Sequence, residues 1–192
     1  MRKILIGTHN EGKFKEIAYL ISKKYRKISP KKLNLPSPKE TGKTFLSNSK
    51  LKAKFFSKFV TYSVLSDDSG ICIKALNNKP GIYSARWAKK HGSFFKAMRF
   101  ILKKLKNKKN RAATFVCSLT FRDSSGKIIS AVGKLHGNIS NKIIGKKGFG
   151  YDPIFIPKNY QQTFGEMLKK KKIKIDHRYL AFKKLKKIVK TL

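Results

Sequence analysis

The placement of the acidic residues constrains this chain more than any other feature of its sequence. Nine Asp and Glu residues stand against 47 Lys and Arg residues, which gives a formal net charge of +38. Acids that served only solubility would be expected anywhere along so basic a chain. Most of them instead lie in short motifs beside Gly, Ser, Thr, Tyr or a His-Arg pair, as in DDSG (67–70) and GYDP (150–153). Such settings suit an acid that holds a metal ion, a water or a base, so the acids mark a candidate site.

The positive charge is spread through every segment of the chain. A dedicated nucleic-acid module usually concentrates its charge in an arm or on one helix face and carries a recognisable motif. Neither pattern is found, and a compositional drift towards Lys, Ile, Asn and Phe explains the charge better. Nonspecific adhesion to nucleic acid at low salt is still expected, because phosphate attraction needs no sequence signature.

Length and composition predict one soluble domain over residues 1–192. Hydrophobic residues make up 40% of the 192 residues, which is ample for a buried core. No apolar run approaches the roughly 18 residues that span a bilayer, and no signal peptide is expected. Cys72 and Cys117 lack metal-ligand spacing and fall in apolar segments, so they are expected to be buried thiols in a reducing, cytoplasmic setting.

The periodic segments of the chain predict a mixed α/β fold. Lys3–Gly7 is a short apolar run that ends in a polar loop, and apolar residues at helical spacing follow from Phe14 to Ser22. A second helix is expected from Thr44 to about Val60. Further elements are expected over residues 26–39, 94–105, 114–121, 127–136, 151–156 and 181–192. Loops from distant segments are expected to converge on one cleft.

The acidic pair Asp67-Asp68 is expected at a corner between two strands. One strand runs from Tyr62 to Ser66, and the alternating residues 71–75 predict the next. Adjacent acids repel each other unless a cation or a proton separates their environments. Neighbouring side chains of an extended segment point to opposite sides, so one acid can enter a cleft while the other braces the loop. The alternative is a turn capped by Asp and Ser.

Three further elements have the chemistry of a phosphate and metal site. The loop Thr8–Lys13 joins a strand to a helix and offers backbone N–H groups and an ammonium to anionic oxygens. It is not a Walker A loop, and an ordinary turn is the alternative. Glu40 precedes a helix and could supply an oxygen ligand to Mg²⁺, unless Thr41 or Thr44 simply caps that helix. Lys52 either reaches phosphate or faces solvent.

Two later motifs have the chemistry of a base pocket. In the segment 148–153, Phe149 offers a plane for stacking, while Asp152 and main-chain groups can read a polar edge. A β-bulge packed by aromatic residues is the alternative. Asp176-His177-Arg178 combines an imidazole and a guanidinium, which are donors to a purine carbonyl or a phosphate. The competing role of Asp176 is to cap the last helix.

Taken together and in this order, the motifs resemble those of the inosine triphosphate pyrophosphatase family. The matching segments are THNEGK (for the family's TGNxGK), ETGKTF, DDSG followed by PGIYSARWA, GFGYDPIF, TFGEM and DHR. The resemblance runs from residue 3 to about residue 185, and the combination is highly specific although each motif alone is not. It implies a Mg²⁺-dependent homodimer that hydrolyses ITP, dITP and XTP to the monophosphate and pyrophosphate. It also implies an elongated mixed sheet with flanking helices that form two lobes around a central nucleotide cleft.

The resemblance assigns a role to each candidate residue. Asp68 would act as general base on water or as a metal ligand that positions the water, and Glu40 would help to hold Mg²⁺. The residues implied in substrate binding are Thr8, His9, Asn10, Glu11, Gly12, Lys13, Lys52 and Ser69 along the triphosphate, and Phe149, Gly150, Tyr151, Asp152, Lys172, His177 and Arg178 around the base.

Five residues depart from the pattern that the resemblance implies. His9 replaces a Gly and adds bulk to a loop in which the backbone must approach phosphate closely. Ser47 and Ser49 replace the Glu and Ala of a TFxENA segment, while Asp176 and Tyr179 replace the Ser and Gly of SHRG. Asp176 places an acid beside the Arg of that motif. We expect activity to be retained.

Two other functions are kept as alternatives. One is a basic nucleic-acid-binding protein with a decayed nucleotide site, which the charge of +38 and the altered loop residues would fit. The other is a pyrophosphatase for modified pyrimidine triphosphates. A panel of nucleotides distinguishes both from the leading hypothesis.

Overall fold

The computed structural model describes residues 1–192 as an open seven-stranded sheet with six α-helices. The mixed α/β class predicted from the sequence is confirmed. The strands are β1 Arg2–Gly7, β2 Tyr25–Ile28, β3 Ser63–Ile73, β4 Lys79–Pro80, β5 Ala112–Arg122, β6 Ile128–Ile139 and β7 Phe155–Pro157. The helices are α1 Glu11–Leu20, α2 Phe45–Phe56, α3 Ser84–Lys90, α4 Phe94–Lys104, α5 Lys169–Lys172 and α6 His177–Ile188.

The sheet combines parallel and antiparallel pairs. Its order is β2-β1-β3-β5-β6-β7, and β4 pairs with β3 outside this path. β1 is parallel to both β2 and β3, and Gly7 at its end pairs with Ser66. A parallel pair needs a crossover connection, which α1 provides between β1 and β2. Because Gly7 pairs with Ser66, the loop after β1 starts next to the residue of β3 that precedes Asp67.

The chain forms two compact units, and the first has its own core. This unit consists of Met1–Asp68, Cys117–Gly133 and Arg178–Leu192. In β1, Ile4 and Ile6 join one cluster with residues of α1 and α6, while Leu5 joins a second cluster with Phe56 of α2. Successive side chains of a strand point to opposite faces, so β1 is buried on both. This burial holds the end of β1 in a fixed position.

The second unit has a core rich in aromatic residues. It consists of Ser69–Val116 and Lys134–His177. Ile101 of α4 is fully buried there with Phe155 and Phe164. The rings of Phe155 and Phe164 lie 5.5 Å apart, and Phe155 lies 4.5 Å from Phe115 of β5. Edge and tilted contacts of this kind add to the burial of apolar area.

Local capping explains where the first two long helices begin. The side chain of Asn10 accepts a hydrogen bond from the Lys13 N–H at 2.9 Å, so α1 begins at Glu11 and not at the predicted Phe14. Thr44 caps α2, and Ser47 completes a capping box with it at 3.0 Å in both directions. Ser47 thus serves the role that a Glu commonly takes at this position of a capping box. The helix ends at Phe56, short of the predicted Val60.

The predicted corner at the acidic pair is wrong. β3 runs without interruption from Ser63 to Ile73, so Asp67 and Asp68 lie within a strand. Gly70 is needed for close approach and not for a turn, because a Cβ there would collide with the Gly81 carbonyl and the Ser84 hydroxyl. Ser84 accepts a hydrogen bond from Ile71 N–H at 3.0 Å and donates one to the Gly81 carbonyl at 2.7 Å.

Three smaller differences separate the predicted and observed elements. Helix α3 was not predicted from its periodicity, since its residues were noted only as a motif. The strand predicted over 151–156 begins as a 3₁₀ turn at Asp152–Ile154 and becomes extended only at Phe155. Cys117 is buried as predicted, whereas Cys72 is only half-buried. No helix is both long and apolar enough to cross a membrane.

Substituting Gly70→Ala is expected to lower the free energy of unfolding by about 1–3 kcal/mol, the usual cost of forcing a methyl group into a packed site. The added Cβ would meet the Gly81 carbonyl and Ser84. Urea denaturation measures the change. The control is Ser124→Ala in the exposed turn after β5, which should stay within about 0.5 kcal/mol of the original protein. Equal stability of the two variants would show that the close approach is not required.

Candidate functional site

The first unit contains a buried pair of opposite charges where β1 ends beside β3. Lys13 lies in the first turn of α1, and its Nζ is 3.0 Å from Oδ2 of Asp67. Asp67 has no exposed surface. Burial by itself would raise the pKa of Asp67, but the ammonium groups of Lys13 and Lys52 outweigh it and hold that pKa well below its usual range. Asp67 is therefore a fixed negative charge that positions Lys13.

Asp68, the next residue of β3, has a different environment. It is 4% exposed, forms no ion pair, and accepts one side-chain hydrogen bond, from Asn48 Nδ2 to its Oδ2 at 3.0 Å. Burial and the nearby charge of Glu40 together raise the pKa of Asp68 to about 6, against the opposing effects of Lys13, Lys52 and Asn48. The pKa values of the two adjacent acids are thus shifted in opposite directions. Only Asp68 can exchange a proton near neutral pH.

Glu40 and Lys52 form a second ion pair beside Asp67 and Asp68, and these residues together with Lys13 make up the acid–lysine cluster of the first unit. Lys52 lies on α2, and its Nζ is 3.1 Å from Oε1 of Glu40. Burial would lower the pKa of Lys52, but the charges of Asp67, Glu40 and Asp68 reverse that effect and raise it. The solvent-facing alternative for Lys52 is excluded, because only 9% of its side chain is exposed.

The loop after β1 is ordered by its own side chains. Thr8 is buried and its hydroxyl accepts a hydrogen bond from Asn10 N–H at 3.3 Å. His9 is exposed, and its Nε2 lies 2.9 Å from the Leu35 carbonyl. Glu11 pairs at 3.4 Å with Lys31 on the surface. These contacts order the loop that leads into α1. The unpaired N–H groups at the start of a helix suit an anion.

Glu40 and Asp68 fit the requirements of a magnesium site, although the chain holds no cluster of three or more His, Cys, Asp or Glu side chains that could bind a metal by itself. Magnesium is usually held by one or two carboxylates together with waters and substrate phosphates. Asp68 is buried without an ion pair, and the charge of Glu40 raises its pKa. A cation beside these two carboxylates would relieve their repulsion.

The second unit contains a loop braced by a buried acid. Oδ2 of Asp152 accepts hydrogen bonds from the Phe149 N–H at 2.8 Å and from Lys172 Nζ at 2.6 Å. The Lys172 ammonium also lies over the rings of Phe149 and Phe164, at 4.7 and 5.3 Å from their centroids. Asp152 thus fixes the position of both the aromatic ring and the ammonium.

Neighbouring residues of the same unit hold this loop in place. The Tyr151 hydroxyl donates to the Ser84 carbonyl at 2.9 Å, and burial raises the pKa of Tyr151. The preceding Gly150 has a φ of 66°, a conformation that favours glycine. The His177 ring stacks on Phe115 with centroids 4.6 Å apart and planes 8° apart. The orientation of the imidazole is therefore set by packing.

Arg178 pairs with an acid that the sequence reasoning did not single out. Its Nη1 donates to Oε2 of Glu16 at 2.8 Å, and both side chains are at most 6% exposed. Glu16 lies three residues after Lys13 on α1, which places both on one face of the helix. That spacing was the available signal, because it puts an acid beside a lysine of the candidate site.

Helix α2 contributes to the site one residue that sequence reasoning did not assign to it, Asn48, and it also carries the buried Ser49, which lies outside the site. Asn48 is fully buried and contacts Asp68 as described. The hydroxyl of Ser49 lies 2.8 Å from the hydroxyls of both Ser118 and Thr120. The departure from Ala at position 49 is therefore part of a buried hydroxyl network.

The candidate residues fall into two groups. Those of the first unit share the buried acids and lysines or the loop before α1; they are Thr8, His9, Asn10, Glu11, Gly12, Lys13, Glu40, Lys52, Asp68 and Arg178. Those of the second unit belong to the braced loop and the segments around it; they are Ser69, Phe149, Gly150, Tyr151, Asp152, Lys172 and His177.

These features define an α/β protein in which two acid–lysine pairs, each with one buried member, lie near a buried carboxylate, Asp68, whose pKa is raised to about 6. The Ham1 family model matches residues 4–188, and the chain belongs to this family.

Relatives and solved structures agree with this membership. The chain is 38% identical over 187 residues to the dITP/XTP pyrophosphatase of Zymomonas mobilis, covering 95% of this chain and 90% of that protein. It is 40% identical over 192 residues to the dITP/XTP pyrophosphatase of Dictyoglomus thermophilum, covering 96% and 93%. The structure of the Staphylococcus aureus Ham1 protein superposes with a TM-score of 0.87 at 33% identity, covering 98% of each chain. A HAM1 protein from Coxiella burnetii gives a TM-score of 0.88 at 30% identity, covering 100% of each chain. The predicted family resemblance is confirmed.

Substituting Asp68→Asn is expected to stabilise the fold at pH 8 by about 1–3 kcal/mol, because the native state holds the ionised carboxylate at a cost. The pKa of Asp68 is raised to about 6, so between roughly pH 4 and pH 6 the native state binds a proton that the unfolded state has released. The original protein should lose stability from this group as the pH rises through that window, and the variant should not. Urea denaturation at pH 4 and pH 8 measures the difference, and a variant that is no more stable at pH 8 would contradict it.

Proposed function

We propose that this protein hydrolyses non-standard purine nucleoside triphosphates, ITP, dITP and XTP, to the nucleoside monophosphate and pyrophosphate. The observation that carries the proposal is Asp68, a buried carboxylate with a pKa raised to about 6, set among two lysines and a second acid. A general base works best when its pKa lies near the operating pH. The named activity of the relatives at 38% and 40% identity supports the same reaction.

In the proposed mechanism, Asp68 accepts a proton from the attacking water. The water oxygen forms a bond to the α-phosphorus, the bond from the α-phosphorus to the bridging oxygen breaks, and pyrophosphate leaves with that oxygen. Phosphoryl chemistry of this kind depends mainly on positioning and on stabilising negative charge. A bound Mg²⁺, held by Glu40 and Asp68, would supply charge neutralisation to the phosphate oxygens.

The lysines of the first unit provide cations that are already positioned. Lys13 is held by Asp67 at 3.0 Å and Lys52 by Glu40 at 3.1 Å. Because the partner acids fix these ammonium groups, little reorganisation is needed when phosphate oxygens approach. The N–H groups of Glu11 and Gly12 at the start of α1 would add donors, whereas those of Thr8, Asn10 and Lys13 already donate within the loop and its cap.

The purine base of the substrate would be recognised by side chains that donate hydrogen bonds. His177 and Lys172 of the second unit can donate hydrogen bonds to the 6-carbonyl of hypoxanthine or xanthine, and the ring of Phe149 offers a stacking surface. Adenine presents an amino group at that position, which would leave buried donors without partners. Loss of such bonds rejects a substrate strongly.

We infer a single functional domain over residues 1–192, magnesium dependence, a homodimer and a cytoplasmic location in which the enzyme clears the nucleotide pool. The family membership over residues 4–188 supports one functional domain. The two free cysteines are compatible with a reducing compartment.

A panel of ITP, XTP, dITP, GTP and ATP tests the reaction with and without Mg²⁺. We expect release of pyrophosphate and not of phosphate, with kcat/KM for ITP or XTP at least about a hundredfold above that for ATP. Removing Mg²⁺ with a chelator should abolish turnover. Modified pyrimidine triphosphates included in the panel test the related enzyme alternative. Absence of turnover on every nucleotide, together with tight and salt-resistant binding of nucleic acid, would favour the nucleic-acid alternative.

The pH dependence of turnover tests the role of Asp68. Because Asp68 must be ionised to accept a proton and its pKa is about 6, kcat/KM should fall about tenfold per pH unit below that value and level off above it. Asp68→Asn should lower kcat by about 10²–10⁴-fold at pH 8 while the fold is retained. Asp123→Asn, in the turn between β5 and β6, is the matched control and should leave kcat unchanged. Normal turnover by the Asp68 variant would rule out this role.

A further inference from the structure

Two residues of α2 that lie one helical turn apart contact the two acids of the candidate metal site. Asn48 donates to Asp68 at 3.0 Å, and Lys52 pairs with Glu40 at 3.1 Å. Residues four apart lie on the same face of a helix. We infer that Asn48 is a positioning residue that fixes the Asp68 carboxylate relative to Glu40 by holding its Oδ2. The inference rests on the proposed function and adds a positioning residue to it.

The orientation of the Asn48 amide is determined by its two partners. Its Oδ1 accepts a hydrogen bond from the Gly42 N–H at 2.8 Å, and a backbone N–H can only donate. An ionised carboxylate can only accept, so the Nδ2 group must face Asp68. Both ends of a fully buried side chain are therefore used, and a flipped amide would lose both bonds.

The Gly42 bond connects Asn48 to the segment that carries Glu40. Gly42 follows Glu40 by two residues, and a Cβ at Gly42 would collide with Ser47 Oγ and Asn48 Oδ1. The segment thus lies directly against the first turn of α2. Asn48 touches Asp68 with one end and the Glu40 segment with the other, so it links the two acids without being a ligand itself.

This arrangement makes the two oxygens of Asp68 unequal. Asn48 occupies Oδ2, and no other side chain donates to Asp68. Oδ1 has no side-chain donor and therefore keeps all its lone pairs for a water or a cation. A side chain that orients a metal ligand or base in this way typically affects metal affinity or activity by about 10–100-fold.

Asn48→Ala and Asn48→Asp test the inference in the full-length protein. Both variants should lower kcat for ITP by about 10–100-fold while KM changes less than about threefold, because Asn48 touches the base and not the substrate. Asn48→Asp keeps the oxygen for Gly42 but replaces the donor to Asp68 by a second acid, so it combines the loss of the Asp68 bond with an added like charge, whereas Asn48→Ala removes both bonds without a new charge. The matched control is Ser49→Ala, a buried neighbour on the same helix that bonds to Ser118 and Thr120. It should change the free energy of unfolding but not kcat.

Binding of Mn²⁺, followed by electron paramagnetic resonance, gives a readout that does not require turnover. Its Kd should rise by about 10–100-fold in Asn48→Ala and stay unchanged in Ser49→Ala. Hydrogen exchange of the Gly42 amide should become faster in Asn48→Ala, because its acceptor is gone, and should stay slow in Asn48→Asp. Unchanged kcat and Mn²⁺ affinity in Asn48→Ala would overturn the inference, and so would an equal loss in Ser49→Ala. If the original protein hydrolyses no triphosphate, the proposed function fails, while the Mn²⁺ and exchange measurements still decide the role of Asn48.

Discussion

The ion pair between Lys13 and Asp67 is the interaction on which the rest of the site depends. It joins the first turn of α1 to the middle of β3, and it lies where β1, buried on both faces, delivers the loop that precedes α1. A buried acid without its cation is costly, so the pair fixes the loop and the strand together. It also fixes Asp67 as ionised, which leaves Asp68 as the group with an adjustable proton.

Much of this arrangement could be predicted from the sequence because it follows from local pattern. Apolar periodicity identified β1, α4 and α6, and the clustering of acids in motifs identified Asp68 and Glu40 as candidates. Helix boundaries were less accurate, since the start of α1 depends on the Asn10 side chain and not on apolar spacing. The corner predicted at Asp67 is wrong because residues 67–70 continue the strand, and Gly70 allows close approach of Ser84.

The residues that were missed are those whose role depends on distant partners. Glu16 is an ordinary helix residue in sequence and becomes notable only because it lies 2.8 Å from Arg178, far along the chain. Ser49 was noted in the sequence only as a departure from Ala, and its partners Ser118 and Thr120 of β5 are known only from the structure. Such contacts have no periodicity, so composition and spacing cannot reveal them.

The buried cluster of the first unit sets up a contrast in charge with the rest of the molecule. Two lysines face three acids there, while the chain as a whole has a formal charge of +38. The outer field would draw polyanions from solution and raise the frequency of their encounters with the surface, an effect that salt weakens. The interior, with its excess of carboxylate, would repel those same anions unless a divalent cation accompanies them. Under the proposed function, ionic strength would control how often a polyanion meets the surface, whereas the supply of divalent cation would control whether it enters the acid-rich cluster.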